Sequence, residues 1–290
     1  MKQPPGFIDS ALPSHVCRLH KSLYGLKQAP MAWYNRLSDF LLSIGFHASK
    51  VNTSLFILSD GTNIFYLLVY IDDILLTGSN SAMLNRLIQL LSSKFKLRDL
   101  GAVHYFLGIE VQSTGMGLML RLHKYMFDIL TRAGMTSCKP VDTLVSPLKV
   151  IILPDNLFSD PTRFHQIMGA LQYLTFTRSN IYFVVNRVCQ LMHAPTYSHW
   201  VVVKHIIRYL KGTTSYGFHI TRGSSFALHG FTYADWAGSI DDRKSTGGYL
   251  VFFGQTPNSW KSYKQRTVAR SSTEAEYSSG DMLTNITRAV

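Results

Sequence analysis

The chain has 290 residues, 46% of them hydrophobic and 12% aromatic, which is enough to bury real cores and argues against wholesale disorder. Its 29 lysines and arginines outnumber its 17 aspartates and glutamates. The net charge of +12 favours a polyanionic partner, although charge alone also fits a basic protein without one. The three cysteines are odd in number and far apart, so they support neither a disulfide framework nor a zinc ribbon and favour a reduced intracellular compartment.

The first part of the chain is predicted to form helix, hairpin and helix. Apolar residues at helical spacing predict a helix over residues 30–46. The apolar runs 64–69 and 74–76 flank Asp72 and Asp73, which predicts a β-hairpin of buried strands with both faces covered. The two charges also make this stretch unfit to span a bilayer. Further elements are predicted as a helix capped near Ser79 to Ser81 with an apolar face that ends at Leu91, strands at 103–111 and 117–121, and a helix at 124–133.

The second part begins with a predicted linker, because Lys139–Asp160 contains three prolines and no clear period. Helices are predicted at 162–175 and 199–210, followed by strands at 228–234, 248–253 and 259–268. A last helix is expected to start within 271–276, since either Ser271 with Glu274 or Thr273 with Glu276 has the capping-box spacing. This mixture indicates an α+β or α/β architecture in two units.

Adjacent carboxylates at a hairpin turn are costly between buried strands unless their charge is compensated. A divalent metal compensates it directly, and nucleotidyl transfer with two magnesium ions uses oxygen ligands of this kind. Aspartate is also common in turns for local hydrogen-bonding reasons. Asp72 and Asp73 alone therefore leave a metal site and an ordinary turn both open.

The surrounding motifs are more specific than the pair itself. Lys21–Pro30 is followed by Trp33-Tyr34, then by Tyr70-Ile71-Asp72-Asp73 and Tyr105–Val111, and later by Gly169–Thr175 and Arg208–Thr213. This ordered series resembles the polymerase of copia-type long-terminal-repeat retrotransposons, from residue 1 to about residue 280.

The resemblance implies an α+β fold with a reverse-transcriptase palm and thumb, a helical connection and a partial RNase-H-like α/β domain. It implies RNA-directed DNA polymerisation in which Asp72 and Asp73 are catalytic Mg²⁺ ligands. Nucleotide- or template-binding residues would be Tyr24, Gly25, Gln28 and Tyr70, and the primer grip would be Phe106, Leu107 and Gly108. Gly25 as a turn glycine and Tyr70 as a packed strand aromatic are the simpler alternatives.

The expected domains are palm and thumb at 1–138, a linker at 139–160, a helical connection at 161–222 and the RNase-H-like part at 223–290. The implied partners are an RNA template, an RNA–DNA hybrid, a DNA primer and dNTPs, with no membrane. The family carries a third catalytic aspartate upstream of the segment Met1–Phe7. We therefore expect a truncated copy that needs a missing N-terminal polyprotein segment for activity, located in the cytoplasm, the nucleus or, as an organellar copy, an organelle.

Phe231–Gly238, Arg243–Tyr249 and Ser271–Tyr277 resemble the first strands and the first long helix of the family's ribonuclease H domain. Tyr233 stands where the family carries a metal-binding aspartate, and a phenol cannot replace a carboxylate toward a hard metal ion. Glu276 matches the catalytic helix glutamate, although a glutamate there also suits a helix N-terminus. We expect nuclease activity to be absent.

Two basic groups complete the sequence prediction. Charged stripes are usually solvated faces, but the resemblance favours contact with hybrid phosphates. Two hypotheses remain open: an enzyme segment that needs the missing part, and a degenerate copy that retains only nonspecific nucleic-acid binding. The first group of basic residues is Lys204, Arg208 and Lys211. The second group of basic residues is Lys261, Lys264, Arg266 and Arg270.

Overall fold

The computed structural model describes residues 2–18, 25–26, 28–71, 73–144, 155–223, 225–239 and 242–287, with side chains up to Thr284. Tyr24 and Asp72, two of the predicted site residues, lie outside the described residues. The chain divides into two compact units, Met1–Val103 and His104–Val290.

The first unit contains one antiparallel sheet and two helices within the described residues. Its strands follow one another in space as they do in the sequence, in the order β1-β2-β3-β4, so the sheet is a meander. The elements are α1 (Ala29–Ser43), β1 (His47–Ala48), β2 (Leu55–Ser59), β3 (Ile64–Tyr70), β4 (Asp73–Gly78) and α2 (Ser81–Phe95).

Both helices of this unit begin and end at signals present in the sequence. Pro30 lies in the first turn of α1, where its missing N–H is not needed. Gly45 follows α1 with a φ of 98°, a left-handed conformation that suits a helix end. The side-chain oxygen of Asn80 accepts a hydrogen bond from the Met83 N–H at 3.1 Å and caps α2. The two helices predicted here are confirmed.

The core of the first unit lies between the helices and one face of the sheet. Burial along β3 alternates, because successive strand residues point to opposite faces. Ile64, Tyr66 and Tyr70 are exposed on the second face, so the prediction of a hairpin covered on both faces is wrong. An unbroken apolar run in the sequence does not show which face of the strand packs against the core. The core residues are Leu37, Leu41, Phe46, Phe56, Phe65, Leu67, Val69, Leu87 and Leu91.

The second unit contains two antiparallel sheets and several helices within the described residues. One sheet joins β5 (Tyr105–Phe106), β6 (Ile109–Thr114), β7 (Gly117–Arg121) and β8 (Phe218–Thr221) in that order. The other joins β9 (Leu228–Ala234), β10 (Thr246–Phe253) and β11 (Thr256–Lys264), with β10 in the middle. The helices are α3 (His123–Arg132), α4 (Pro161–Leu174), α5 (Tyr182–Cys189), α6 (Tyr197–Gly212) and α7 (Ser272–Thr287).

Helices α3 to α6 form the main core of this unit. Fully buried residues such as Leu171 of α4, Val188 of α5 and Ile206 of α6 belong to one cluster. Phe158 stacks on Trp200 with ring centroids 5.0 Å apart and closes the cluster at the start of α6. The predicted mixture of helices and strands is confirmed, and α5, β1, β2 and β8 are additions that the sequence patterns did not indicate.

The predicted domain boundaries at residues 138, 160 and 222 stay predictions. In the structure residues 104–138 belong to the second unit, and β8, within the predicted helical connection, pairs with β7. Trp260 of β11 donates its indole N–H to the carbonyl oxygen of Thr175 at 3.1 Å, which ties the β9–β11 sheet to the end of α4.

Arg178 is a buried cation. Its hydrogen-bond partners among the described residues are all neutral. Its Nε donates to Oδ1 of Asn180 at 3.2 Å, and its terminal nitrogens donate to the carbonyl and hydroxyl oxygens of Thr213 at 3.0 and 2.6 Å. The guanidinium lies over the rings of Tyr209 and Tyr216. Burial lowers the pKa of Arg178, and Tyr209 opposes that effect. The fold therefore bears the desolvation of this guanidinium charge with no carboxylate close to it among the described residues.

Asn180→Asp is expected to raise the free energy of unfolding by about 1 kcal/mol, because a carboxylate in the same place would accept a charge-assisted bond from Arg178. The new side chain can also accept from the Tyr209 hydroxyl, to which the Asn180 amide now donates at 2.6 Å. Denaturant titration measures the effect. Asn258→Asp is the control, because it adds the same charge at an exposed site. An equal gain in both variants would contradict the pairing.

Candidate functional site

The β3–β4 hairpin has a two-residue loop. Tyr70 pairs with Asp73, so only Ile71 and Asp72 connect the two strands. Ile71 adopts a φ of 51° and is exposed. A non-glycine residue with positive φ is uncommon and costs free energy, which marks the turn as a special conformation. Of the predicted pair, Asp73 is described and Asp72 is not.

Asp73 lies on the second face of the sheet, opposite the core. Directly paired residues of antiparallel strands point to the same side, so Asp73 shares its side with Tyr70, which is 50% exposed. Tyr66, four pairs further along and on the same side, is also exposed. We call this surface, which carries Ile64, Tyr66, Tyr70 and Asp73, the open face. It places an aspartate beside exposed aromatic rings.

The Asp73 carboxylate suits a hard cation, since it is exposed and carboxylate oxygens are the ligands that Mg²⁺ prefers. Within the described residues no three His, Cys, Asp or Glu side chains gather closely enough to hold a metal ion. Asp72 lies outside that part of the chain. The described residues of this turn therefore supply one ligand of a metal site, Asp73, and the remaining ligands would come from substrate or from other residues.

The residues predicted to touch nucleotide or template lie just before α1. Gly25 is exposed with a φ of 90°, and a Cβ added there would meet no atom of the described residues within 4 Å. Its backbone conformation, rather than crowding within the chain, explains the glycine. Gln28 is the exposed N-cap residue of α1 and uses no side-chain cap bond. Tyr24 lies outside the described residues.

The predicted primer-grip residues form a second two-residue hairpin turn, between β5 and β6. Phe106 pairs with Ile109, and the turn residues Leu107 and Gly108 have φ values of 51° and 82°. Two successive positive φ values are the signature of a type I′ turn. The hydroxyl of Tyr173 donates to the Leu107 carbonyl oxygen at 2.6 Å. No local pattern predicted this contact, because Tyr173 and Leu107 are 66 positions apart in the chain.

The residues of the RNase-H-like prediction lie on β9 and α7, which pack together. Tyr233 is 67% exposed and Glu276 is exposed. Asp235 instead accepts a hydrogen bond from the Thr246 N–H and so holds the loop between β9 and β10. The Ser271 hydroxyl accepts from the Glu274 N–H at 3.2 Å, which confirms the predicted cap of the helix.

The first basic group has a role inside the fold. Arg208 Nε donates to the Lys139 carbonyl oxygen at 2.8 Å. Lys211 Nζ donates to the carbonyl oxygens of Thr136 and Cys138, both at 2.7 Å. These contacts fasten the start of the predicted linker onto α6. The preference for phosphate contact is therefore corrected for Arg208 and Lys211, whose spacing on the helix serves tertiary packing.

The second basic group is more available to an external anion. Lys264 forms an ion pair with Asp242 at 2.9 Å, and this contact lowers the pKa of Asp242 to about 2. Lys261, Arg266 and Arg270 are exposed around the end of β11. Of the basic residues singled out in the sequence, Lys261, Arg266 and Arg270 are therefore the best placed to contact phosphate.

Residues 1–147 match the family model described as reverse transcriptase (RNA-dependent DNA polymerase). The match contains both hairpins, the one with Asp72 and Asp73 and the one with Leu107 and Gly108. The chain belongs to the reverse transcriptase family.

Curated relatives extend the similarity over nearly the whole chain. The Pol polyproteins of the transposons RE1 of Arabidopsis thaliana and TNT 1-94 of Nicotiana tabacum are 49% and 37% identical over 96% of this chain, which spans 19% and 22% of their lengths. An uncharacterized mitochondrial protein of Arabidopsis thaliana is 48% identical over 73% of this chain and 88% of its own length. No solved structure matches the chain significantly.

The resemblance to copia-type Pol polyproteins is thus confirmed, and the chain contains a reverse transcriptase domain of a retrotransposon Pol polyprotein. It spans about a fifth of the polyproteins it matches. None of the helices in the described ranges is long and apolar enough to cross a membrane. For this reverse transcriptase, the roles of individual residues remain proposals.

Proposed function

We propose that the chain is the part of an RNA-directed DNA polymerase that carries two metal ligands and holds a template–primer hybrid on the open face. The observation that carries this proposal is the position of Asp73, at a two-residue hairpin turn and on the same side of the sheet as exposed Tyr70 and Tyr66. Carboxylates next to exposed aromatic rings suit a substrate made of phosphates and bases, because bases stack on such rings.

Asp72 and Asp73 would hold Mg²⁺, to which their oxygens are well matched. When bound, two such ions activate the primer 3′-hydroxyl and stabilise the departing pyrophosphate. Tyr70 would lie beside the primer end, and Tyr24, Gly25 and Gln28 at the incoming nucleotide and template, as the family resemblance implies. Phe106, Leu107 and Gly108 would hold the primer terminus, on a turn whose shape is fixed by its backbone.

The family resemblance implies three catalytic carboxylates, and this hairpin carries two of them, Asp72 and Asp73. We therefore propose that these residues alone incorporate few nucleotides and that a further segment of the polyprotein completes the site. Preorganised charge makes the largest contribution to the rate of nucleotide addition. A site that lacks one metal-binding carboxylate therefore loses most of that rate.

The second candidate is a degenerate copy that binds hybrid without catalysis. Tyr233 supports it, because an exposed phenol stands on β9 where the resemblance expects a carboxylate. Glu276 would be the surviving RNase H ligand on α7, and alone it would not support hydrolysis. In this case exposed Lys261, Arg266 and Arg270 would bind phosphates without regard to sequence.

A binding and extension assay separates the two candidates. The purified chain is expected to bind an RNA–DNA hybrid with a Kd of about 10⁻⁴–10⁻⁶ M, weakening steeply with salt, and to extend a primer poorly with Mg²⁺ or Mn²⁺. Addition of the upstream polyprotein segment of the same element is expected to restore extension. Failure to restore it, with binding intact, would favour the degenerate copy. Robust extension by the chain alone would contradict the need for a third carboxylate, and absence of hybrid binding would contradict both candidates.

A further inference from the structure

The turn of the β5–β6 hairpin has an intrinsically unfavourable backbone. Leu107 and Gly108 both have positive φ values, 51° and 82°. Glycine adopts such values freely, whereas leucine meets steric repulsion between its Cβ and the backbone. A strand of only two residues, β5, precedes the turn, so the ladder itself supplies few hydrogen bonds. Something outside the hairpin must stabilise this conformation.

Tyr173, at the end of α4, makes the contact that can do so. Its hydroxyl donates to the Leu107 carbonyl oxygen at 2.6 Å, and a Cβ added to Gly108 would lie 3.4 Å from the same hydroxyl. The phenol oxygen therefore lies directly against the turn. Edge-on packing fixes the Tyr173 ring, with centroids 4.9 Å from Tyr125 and 5.9 Å from Phe176. This packing therefore holds the Tyr173 hydroxyl in position to donate to the Leu107 carbonyl oxygen.

A cavity adjoins this contact. It has a volume of about 680 Å³, and both Ile109 and Tyr173 line it, together with Leu120, Phe218 and Trp260. Because there is open space beside the hairpin, close packing does not by itself fix the turn on that side. The hydroxyl–carbonyl bond therefore has a larger share in setting the position of the turn than a bond in a filled core would have.

We propose that Tyr173 is a positioning residue that fixes the primer-grip turn through the Leu107 carbonyl, so that the turn can hold a primer 3′ end. This inference rests on the proposed function, which assigns the primer end to residues 106–108. Tyr173 acts through the turn and does not itself touch the nucleic acid.

The test compares Tyr173→Phe with Tyr125→Phe in the full chain. Each removes one hydroxyl from one ring of the same pair, but only the first removes the bond to Leu107. Tyr173→Phe is expected to increase amide hydrogen exchange of peptides covering residues 104–112 by about tenfold. It is also expected to weaken binding of a hybrid with a recessed 3′ end by about tenfold, while binding of a blunt hybrid changes little.

Tyr125→Phe is expected to change neither measurement. Unchanged exchange in Tyr173→Phe would overturn the fixing of the turn, and equal weakening for recessed and blunt hybrids would overturn its link to the primer end. If the unmodified chain binds no hybrid of either kind, the proposed function fails. Hydrogen exchange then still decides whether Tyr173 fixes the turn, so the two failures are distinguishable.

Discussion

Asp73→Asn is expected to reduce primer extension by about 10²- to 10³-fold in the chain supplemented with its upstream polyprotein segment. Asparagine keeps the shape of the side chain but removes the negative charge that would hold a magnesium ion. Since Asp73 is exposed at the strand end, the fold should tolerate the change. Extension on an RNA template, measured in single-turnover reactions with equal amounts of bound hybrid, gives the size of the loss.

A second measurement does not depend on activity. Ferrous iron in place of magnesium, supplied with hydrogen peroxide as the oxidant, generates hydroxyl radicals at its binding site, and cleavage mapped by mass spectrometry is expected close to the Tyr70–Asp73 turn. Asp72→Asn with Asp73→Asn should abolish this cleavage. Asp39→Asn is the control, because it removes one negative charge from an exposed position on α1, whose buried residues pack on the other face of the sheet. Cleavage that persists in the double variant would contradict a metal site at this hairpin.

Gly117→Ala is expected to lower the free energy of unfolding of the second unit by about 2–5 kcal/mol. Gly117 begins β7 with a φ of 147°, and a Cβ there would lie 1.9 Å from the backbone oxygen of Ile220. That atom belongs to β8, so the overlap is with a paired strand and no side chain can turn away to relieve it. The change should open the β7–β8 pairing first. Denaturant titration followed by tryptophan fluorescence measures the loss.

Gly115→Ala is a matched control two residues away. Gly115 lies in the turn between β6 and β7, and an added Cβ would meet no atom within 4 Å in the part of the chain that the structure describes. We expect its effect to stay within about 0.5 kcal/mol. Similar losses in both variants would mean that the hairpin resists any added methyl group, and would contradict the specific conflict with β8.

Local patterns predicted the elements whose signals lie within a few residues of one another. Helix α2 has its cap at Asn80 and its apolar stripe ending at Leu91, and the structure contains both. The hairpin around Asp73 followed from two apolar runs, 64–69 and 74–76, on either side of the aspartate pair, and it is present. Strand β8 was not predicted, because Phe218–Thr221 is short and gains its stability from pairing with β7, far away in the sequence.

The roles of charged and polar residues were harder to predict than the elements. Arg208 and Lys211 have the spacing of a basic helical stripe, yet their partners are the carbonyl oxygens of Thr136, Cys138 and Lys139. A helical wheel shows which side chains share a face but not what the rest of the chain brings to that face. The same limit hid Tyr173, whose sequence neighbours contain no sign of Leu107.

The sequence by itself determined the family and the position of the aspartate pair, because ordered motifs and a tight apolar hairpin are properties of short stretches of chain. It also indicated the helices whose caps and apolar stripes are local. Only the tertiary structure decided which face of the β1–β4 sheet stays open, which basic side chains are used inside the fold, and which tyrosine supports the turn at Leu107. Those outcomes depend on contacts between residues far apart in the chain. Local sequence patterns do not predict the free energy of such contacts.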